Sequence, residues 1–255
     1  MMGTTLDFLY DGRLVLRQPS HGYRFSVDAP LLTWFAGADR VAKHCVDLGA
    51  GCGVIGLGLL AAGFARKVSA VEIQPVLANL AMENVEANSF GDSMEILNAD
   101  IRKIGDQLPG AFFDLVIANP PFWPAEAGRL PKDEMKQIAC HETAVTLDDW
   151  VTLVRRLLHP RRGRVCVVFP AKRVDELLLA FVKCGITATQ VIVVHPRIDE
   201  PAEIILLEAR LGQAGRLTIA PPLFLKNEQG DDTKMAREIL SGNFSQSLRA
   251  LKDRR

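Results

Sequence analysis

Hydrophobic residues along this chain fall into short runs separated by longer stretches with a helical rhythm. Runs at 44–48, 67–72, 93–98, 113–118, 163–169 and 188–194 have the length and apolar density of buried strands. Between them, 54–62 and 75–88 read as helices; in the second, Leu77, Leu80, Ala81 and Val85 share one face. Stretches 147–158 and 172–183 read the same way. This alternation predicts an α/β fold of the Rossmann-like kind, a mostly parallel sheet covered by helices on both faces. Residues 203–211 read as a last strand. Reached from 188–194 through a turn at 195–201, it is expected to run antiparallel at the sheet end.

Ahead of this core, residues 6–18 set two apolar-rich runs around Asp11-Gly12, a strong hairpin signal. Asp28 is expected to cap a short helix to about Phe35, with Pro30 in its first turn. These features divide the chain into a hairpin and helix extension over 1–40, a core domain over 41–225 and a tail over 226–255. Pro221-Pro222 interrupts the end of the core, and 233–240 reads as a short helix.

The chain has 255 residues, 48% of them hydrophobic, enough for one sizeable α/β core. No apolar run reaches membrane-spanning length, and the start lacks a basic-then-apolar signal, so a cytoplasmic protein is expected. Five cysteines, odd in number and scattered, make neither a disulfide framework nor a Cys-x-x-Cys zinc pattern. Cys166 sits in an apolar run and reads as a buried small hydrophobe. No metal and no obligate protein partner are expected. Formal net charge is zero, so a nucleic-acid partner would need a local basic face. Candidates are Arg155-Arg156, Arg161-Arg162-Gly163-Arg164 and the tail residues Arg249, Lys252, Arg254 and Arg255; for any single cluster, solvated surface charge is the simpler reading.

The chemistry concentrates at strand ends. Asn119-Pro120-Pro121-Phe122 follows the run 113–118. An amide, a proline carbonyl and an aromatic face can hold a planar amino group by its N–H bonds and its π system. The first core strand ends in Asp47-Leu48-Gly49-Ala50-Gly51-Cys52-Gly53, whose glycines allow a tight turn close to a ligand. Gly51 to Gly56 also satisfies the dinucleotide pattern G-x-G-x-x-G, with Glu72 at ribose distance, so the loop alone leaves a nicotinamide enzyme open. The wider spacing narrows this. Asp47, Glu72, Asp100 and Asn119 follow strands one to four, and ligands of open α/β sheets sit outside those ends. Each residue alone could be a helix cap or a loop residue. Together they outline one crevice: Glu72 for ribose hydroxyls, Asp100 for an adenine amino group flanked by Ile73 and Ile101, and Asp47 with the loop for an amino-acid moiety. That set of contacts describes S-adenosylmethionine (SAM).

Asp-Leu-Gly-x-Gly-x-Gly at 47–53, Glu72 and Asn-Pro-Pro-Phe at 119–122 resemble the class I SAM-dependent methyltransferases that act on amino groups. The resemblance is closer to the bacterial family that methylates N6 of an adenine in valine tRNA. It extends through residues 18–28 (Gln-Pro-Ser-His-Gly-Tyr-Arg-Phe-Ser-Val-Asp), Glu72-Ile-Gln-Pro75, His141-Glu142, His195-Pro196-Arg197 and Glu208-Ala209-Arg210, over roughly residues 5–225. It implies a class I methyltransferase sheet, SAM as methyl donor leaving S-adenosylhomocysteine, and RNA, with tRNA foremost, as partner. It also implies Asn119, Pro120 and Phe122 at the reacting amino group, with Pro121 and Phe122 against the base. Many relatives carry Tyr where this chain has Phe122, which keeps the stacking face. Phe at this position also occurs in enzymes that methylate N2 of guanine. The same tetrapeptide can orient a glutamine amide, and a SAM-binding module without catalysis is the non-enzyme alternative. Residues 123–139, with Arg129, Lys132 and Lys136, read as a substrate loop or a surface connector. Phe25 could cover the cofactor, and Arg24 could meet its carboxylate or a phosphate. His141-Glu142 lacks a third ligand at metal spacing and reads as a structural hydrogen bond.

Overall fold

The computed structural model describes residues 3–22, 24–120, 145–212, 216–245 and 247–248. It opens with an antiparallel hairpin, β1 (Thr4–Leu9) and β2 (Leu14–Pro19), in register from Thr4↔Pro19 to Leu9↔Leu14. The turn uses left-handed conformations at Tyr10, Asp11 and Gly12. Asp and Gly tolerate these cheaply, and Tyr10 is held there by burial, its ring edge-on to Phe244 at 5.4 Å. Helix α1 (Asp28–Ala36) follows. Val27, not Asp28, is its N-cap and no side chain caps it; Asp28 instead stands in the first turn, where a carboxylate favours the helix dipole.

The core runs β3 (Ala42–Leu48), α2 (Val54–Ala61), β4 (Ala65–Glu72), α3 (Pro75–Ala87), β5 (Met94–Asn98), β6 (Leu115–Ala118), α4 (Leu147–Leu157), β7 (Arg164–Pro170), α5 (Val174–Lys183), β8 (Ile186–Arg197) and β9 (Ile204–Leu211). Then come β10 (Thr218–Ile219), β11 (Leu223–Lys226) and α6 (Lys234–Leu240). Five parallel strands stand in the order β5-β4-β3-β6-β7. The antiparallel strand β9 lies inside the sheet, between β7 and β8, and not at its end. Beyond it, β10 and β11 pair in parallel with successive parts of the long strand β8. These two short strands lie where Pro221-Pro222 hides any strand pattern in the sequence.

Both faces of the sheet are covered, as the continuous apolar runs require. One face packs Cys45, Leu115, Cys166, Ile192 and Leu206 against α1, α2 and the hairpin. The other packs Val46, Val116, Val165 and Leu207 against α4 and α5. Cys166 is fully buried on the first of these faces, where its Sγ also accepts from the Arg164 guanidinium at 3.2 Å. The chain reverses its winding between β3 and β6. Their carboxyl ends therefore diverge into a crevice, the place where ligands of such sheets bind.

Candidate active site

The glycine loop after β3 is held by the neighbouring strand. The Gly49 and Ala50 N–H groups donate to the Val71 carbonyl at 2.9 and 3.0 Å, and the Gly51 N–H donates to Glu72 Oε2 at 2.8 Å. Gly49, Gly51 and Gly53 have φ of +80°, +57° and +83°, which L side chains rarely adopt. A Cβ on Gly49 would meet only open space, whereas one on Gly56 would come within 2.7 Å of the Met94 methyl. Gly49 thus faces room for a ligand. Gly56, the residue that completes the dinucleotide-like pattern, serves close packing of α2 on the sheet.

Two acids lie under the loop. Asp47 is fully buried, and neither carboxylate oxygen has a hydrogen-bond partner; the Gly56 N–H approaches without hydrogen-bond geometry. Burial pushes the Asp47 carboxyl up to about 7, with the Gly56 N–H opposing the shift and the Glu72 charge adding to it. Glu72 is 5% exposed. Its two oxygens accept from the Gly51 and Gln74 N–H groups, so it ties the loop to the start of α3. Burial raises its pKa against those backbone donors. Each oxygen keeps a lone pair, so the carboxylate can still accept from a ribose.

Asp100 and Ile101 follow β5, and Ile73 follows β4, all half-buried. Asp100 is engaged by Arg102, whose guanidinium donates to both its oxygens at 2.5–3.0 Å; that hydrogen bonding holds the Asp100 carboxyl below its usual range. An adenine amino group would share this carboxylate with Arg102. Ile101 also lines a cleft of about 380 Å³ with Trp150 and Leu153 of α4. Asn119 and Pro120 leave the fully buried strand β6 half-exposed. Because β3 and β6 pair with Asp47 beside Ile117, Asn119 emerges two residues further along, beside Gly49. No described residue hydrogen-bonds its amide.

Arg24 lies on the hairpin: its guanidinium grips Asp7 at 2.9 and 3.0 Å and also donates to Thr5 and to the Pro19 carbonyl. The Phe25 N–H donates to Gln18 Oε1 at 2.8 Å, and its half-buried ring packs on the α1-side core. The geometry therefore gives Arg24 and Phe25 contacts with the hairpin. Pro121, Phe122, Arg129, Lys132, Lys136 and His141-Glu142 lie outside the described residues. Among the described residues, no His/Cys/Asp/Glu group is arranged to hold a metal. No described helix is long and apolar enough to cross a membrane.

The clusters Arg155-Arg156 and Arg161–Arg164 stand at the opposite, amino edge; Arg249, Lys252, Arg254 and Arg255 lie outside the described residues. Arg162 pairs with Asp114. Arg164 is 1% exposed and sits among Asp39, Glu208 and the Ala36 carbonyl. Arg155 and Arg156 donate to the backbone carbonyls of Cys184 and Gly105. Arg162 and Arg164 are thus paired with acids, while Arg155, Arg156 and Arg161 stay exposed. His195-Pro196-Arg197, expected within the turn 195–201, are instead the last residues of β8; the turn begins after them, and His195 Nδ1 lies 2.7 Å from the Glu200 carbonyl.

Three polar residues of the site escaped the sequence reading. Asn98 donates to the Glu72 and Ile73 carbonyls and fixes that turn. Gln18, 1% exposed, links Asp7 to Phe25. Asn84, 0% exposed, bonds both the hairpin and the Cys52 carbonyl. Gln18 and Asn84 had a signal: each occupies an apolar-face position, Gln18 after Leu14 and Leu16, Asn84 beside Leu80, Ala81 and Val85.

A strand order β5-β4-β3-β6-β7 with an antiparallel strand inserted before the last long one, a three-glycine loop on the central strand and an acid after the next define a Rossmann-like methyltransferase. The family described as methyltransferase small domain matches residues 30–136. A tRNA1(Val) (adenine(37)-N6)-methyltransferase of Porphyromonas gingivalis is 31% identical over 173 residues, 66% of this chain and 66% of the relative. Another, from Dyadobacter fermentans, is 24% identical over 219 residues, 86% and 88% of the two chains. For the two Porphyromonas gingivalis relatives the match spans 66% and 62% of their length, just under two thirds. Among solved structures, a "predicted O-methyltransferase" of Agrobacterium tumefaciens superposes with TM-score 0.67 at 26% identity, over 84% of this chain and 96% of that one. M. jannaschii TYW2, solved with AdoMet, shares the fold with TM-score 0.55 at 16% identity, over 82% and 86%. The chain belongs to the class I SAM-dependent methyltransferases.

That family's methyl donor fits the residues present. The partnerless oxygens of Asp47 and the open space at Gly49 suit a ligand carrying an ammonium group against the glycine loop, and Glu72 retains acceptor capacity for a diol.

Proposed function

We propose that the protein transfers a methyl group from SAM to the exocyclic N6 of an adenine in RNA, with tRNA as the substrate class. The observation that carries this is the Asn119-Pro120 turn, emerging beside Gly49 with its amide unclaimed. SAM, when bound, supplies an electrophilic methyl group. The chain's own residues supply the rest. The Asn119 side-chain oxygen and the Pro120 carbonyl accept the two N–H bonds of the amino group. This raises electron density on nitrogen, whose lone pair is otherwise delocalised into the ring. Fixed dipoles do so without reorganising. Phe122 and Pro121 hold the base by its face, a contact of ~1–3 kcal/mol in single-strand binding. Much of the acceleration comes from positioning, which can supply on the order of 7–11 kcal/mol.

The target base leaves its stack to reach a crevice at the sheet edge, which an unpaired loop nucleotide does most cheaply. The relatives' names favour tRNA over ribosomal RNA or protein. With Arg162 and Arg164 paired to acids at the far edge, Arg129 and Lys132, which follow Asn119 in the sequence, are the cations this proposal gives to RNA contact. The test is methyl transfer from tritiated SAM to tRNA, ribosomal RNA and protein from cells lacking the enzyme. Expected is N6-methyladenosine in tRNA by nucleoside mass spectrometry. N2-methylguanosine, or label confined to protein, would overturn the proposal.

A further inference from the structure

Asn84 in the last turn of α3 and Asn88 at its C-cap, four residues apart, hold the N-terminal hairpin in the same way. Asn84 accepts from the Arg17 N–H at 2.6 Å and donates to the Arg17 carbonyl at 3.0 Å. Asn88 accepts from the Val15 N–H at 3.0 Å and donates to the Val15 carbonyl at 2.7 Å. Each side-chain amide thus stands in for a strand partner along the free edge of β2. They differ in one bond. The Asn84 amide also donates to the Cys52 carbonyl at 2.9 Å, in the middle of the glycine loop; Asn88 instead reaches back to the Asn84 carbonyl. Asn84 is fully buried where these three elements meet.

We propose that Asn84 is a positioning residue of the cofactor loop, and that through it the docking of the hairpin and the binding of SAM are coupled. The loop is clamped at consecutive residues from two sides: Glu72 takes the Gly51 N–H from the sheet, and Asn84 takes the Cys52 carbonyl from the helix. A loop with three left-handed glycines has much freedom to lose, and each clamp removes part of that loss before the ligand arrives. Because Asn84 shares its amide between loop and hairpin, a ligand that fixes the loop also fixes β2, and coupling of this kind is reciprocal. The inference rests on the reading that this chain binds SAM.

The experiment compares Asn84→Ala with Asn88→Ala in the full chain. Each loses an equivalent pair of hairpin bonds, to Arg17 or to Val15; only the first loses the loop clamp. Asn84→Ala is expected to weaken SAM binding roughly tenfold by calorimetry, about one net hydrogen bond, and Asn88→Ala less than about twofold. The KM for SAM should rise in Asn84→Ala with the KM for RNA unchanged. Asn84→Asp keeps the acceptor for the Arg17 N–H but loses both donors, and should not restore affinity. An independent reading needs no variant: the Arg17 amide, bonded to Asn84 itself, should exchange its hydrogen more slowly in wild-type protein saturated with S-adenosylhomocysteine. Equal loss of SAM affinity in the two alanine variants would put the effect on hairpin docking alone and overturn the loop-clamp role of Asn84, and Arg17 exchange untouched by a ligand that calorimetry shows is bound would overturn the coupling; either result leaves the methyltransferase reading standing. Absence of SAM binding by wild-type protein would remove both.

Discussion

The two edges of one sheet treat buried charge in opposite ways. At the amino edge, Asp114 is 4% exposed and accepts from Arg162 and from the Lys43 and His44 N–H groups. Arg164 and Glu208, both buried, are joined through Asp39 and Arg210 into one network. At the carboxyl edge, Asp47 is buried with neither oxygen satisfied, and the Asn119 amide meets no described partner. Burying a charge is costly unless it is paired, and a fold under no other demand pairs it. The amino edge shows the fold doing so. The carboxyl edge leaves polar groups open where a cationic ligand and an amino group would complete them.

If the amino edge is structural, breaking it should cost stability and spare binding. Arg164→Met should lower unfolding stability by about 3–5 kcal/mol, since it strips a cation from buried acids. SAM affinity of the folded fraction should stay unchanged by calorimetry; a large affinity loss would dissolve the distinction between the edges.

The pH response separates the edges by sign. Asp47 is raised to about 7, so its contribution to stability is full below the ordinary carboxylate pKa and is lost as pH rises from about 4 through about 7. The swing is up to about 4 kcal/mol. For Asp114, burial is outweighed by Arg162 and the two backbone donors, and its pKa is lowered. Its contribution is present above the ordinary value and lost as pH falls. Thermal melts of ligand-free Asp47→Asn between pH 5 and 8 should therefore be flatter than wild type. An unchanged slope would show that Asp47 does not titrate there.

Asn119→Ala should lower turnover roughly 10²–10³-fold, the loss typical of one preorganised polar contact to a reacting group, with SAM affinity and melting temperature kept. Near-normal turnover would take Asn119 out of the chemistry. The smallest effect is expected at Glu72, whose carboxylate works on both loop and ligand. Glu72→Gln should weaken SAM binding by ~1.5–3 kcal/mol, the range for hydrogen bonds to a charged group. Unchanged affinity by calorimetry would count against a ribose contact.

Features set by local pattern were legible in the sequence. Asp11-Gly12 placed the hairpin, and the alternating runs placed the parallel strands and their helices to within a few residues. The acids after successive strands could be collected into one crevice because every parallel strand delivers its end to the same edge. What could not be read depended on distant partners. Arg162 and Arg164 look like an RNA-facing cluster until Asp114 and Glu208, some 50 residues away on either side, are folded against them. Arg24 looks free until Asp7 arrives across the hairpin. The interior place of β9 is a choice of neighbour, which no local periodicity encodes. Strands β10 and β11 are too short for alternation to register and exist only because β8 offers them an edge.

That interior place of β9 bears on how the chain is made. Strands β7 and β8 are finished before β9 leaves the ribosome, yet they must stand about 10 Å apart, two strand spacings, with a vacant slot between them. Until residue 211 is available, both flanks of that slot are unpaired edges of the apolar strands 164–170 and 186–197, the kind of surface on which nascent chains aggregate. The local β8–β9 hairpin is the contact with the lower loop-closure cost, so it should form first and enter the sheet as a unit. Closure of this half of the domain is then a late, single event in biosynthesis.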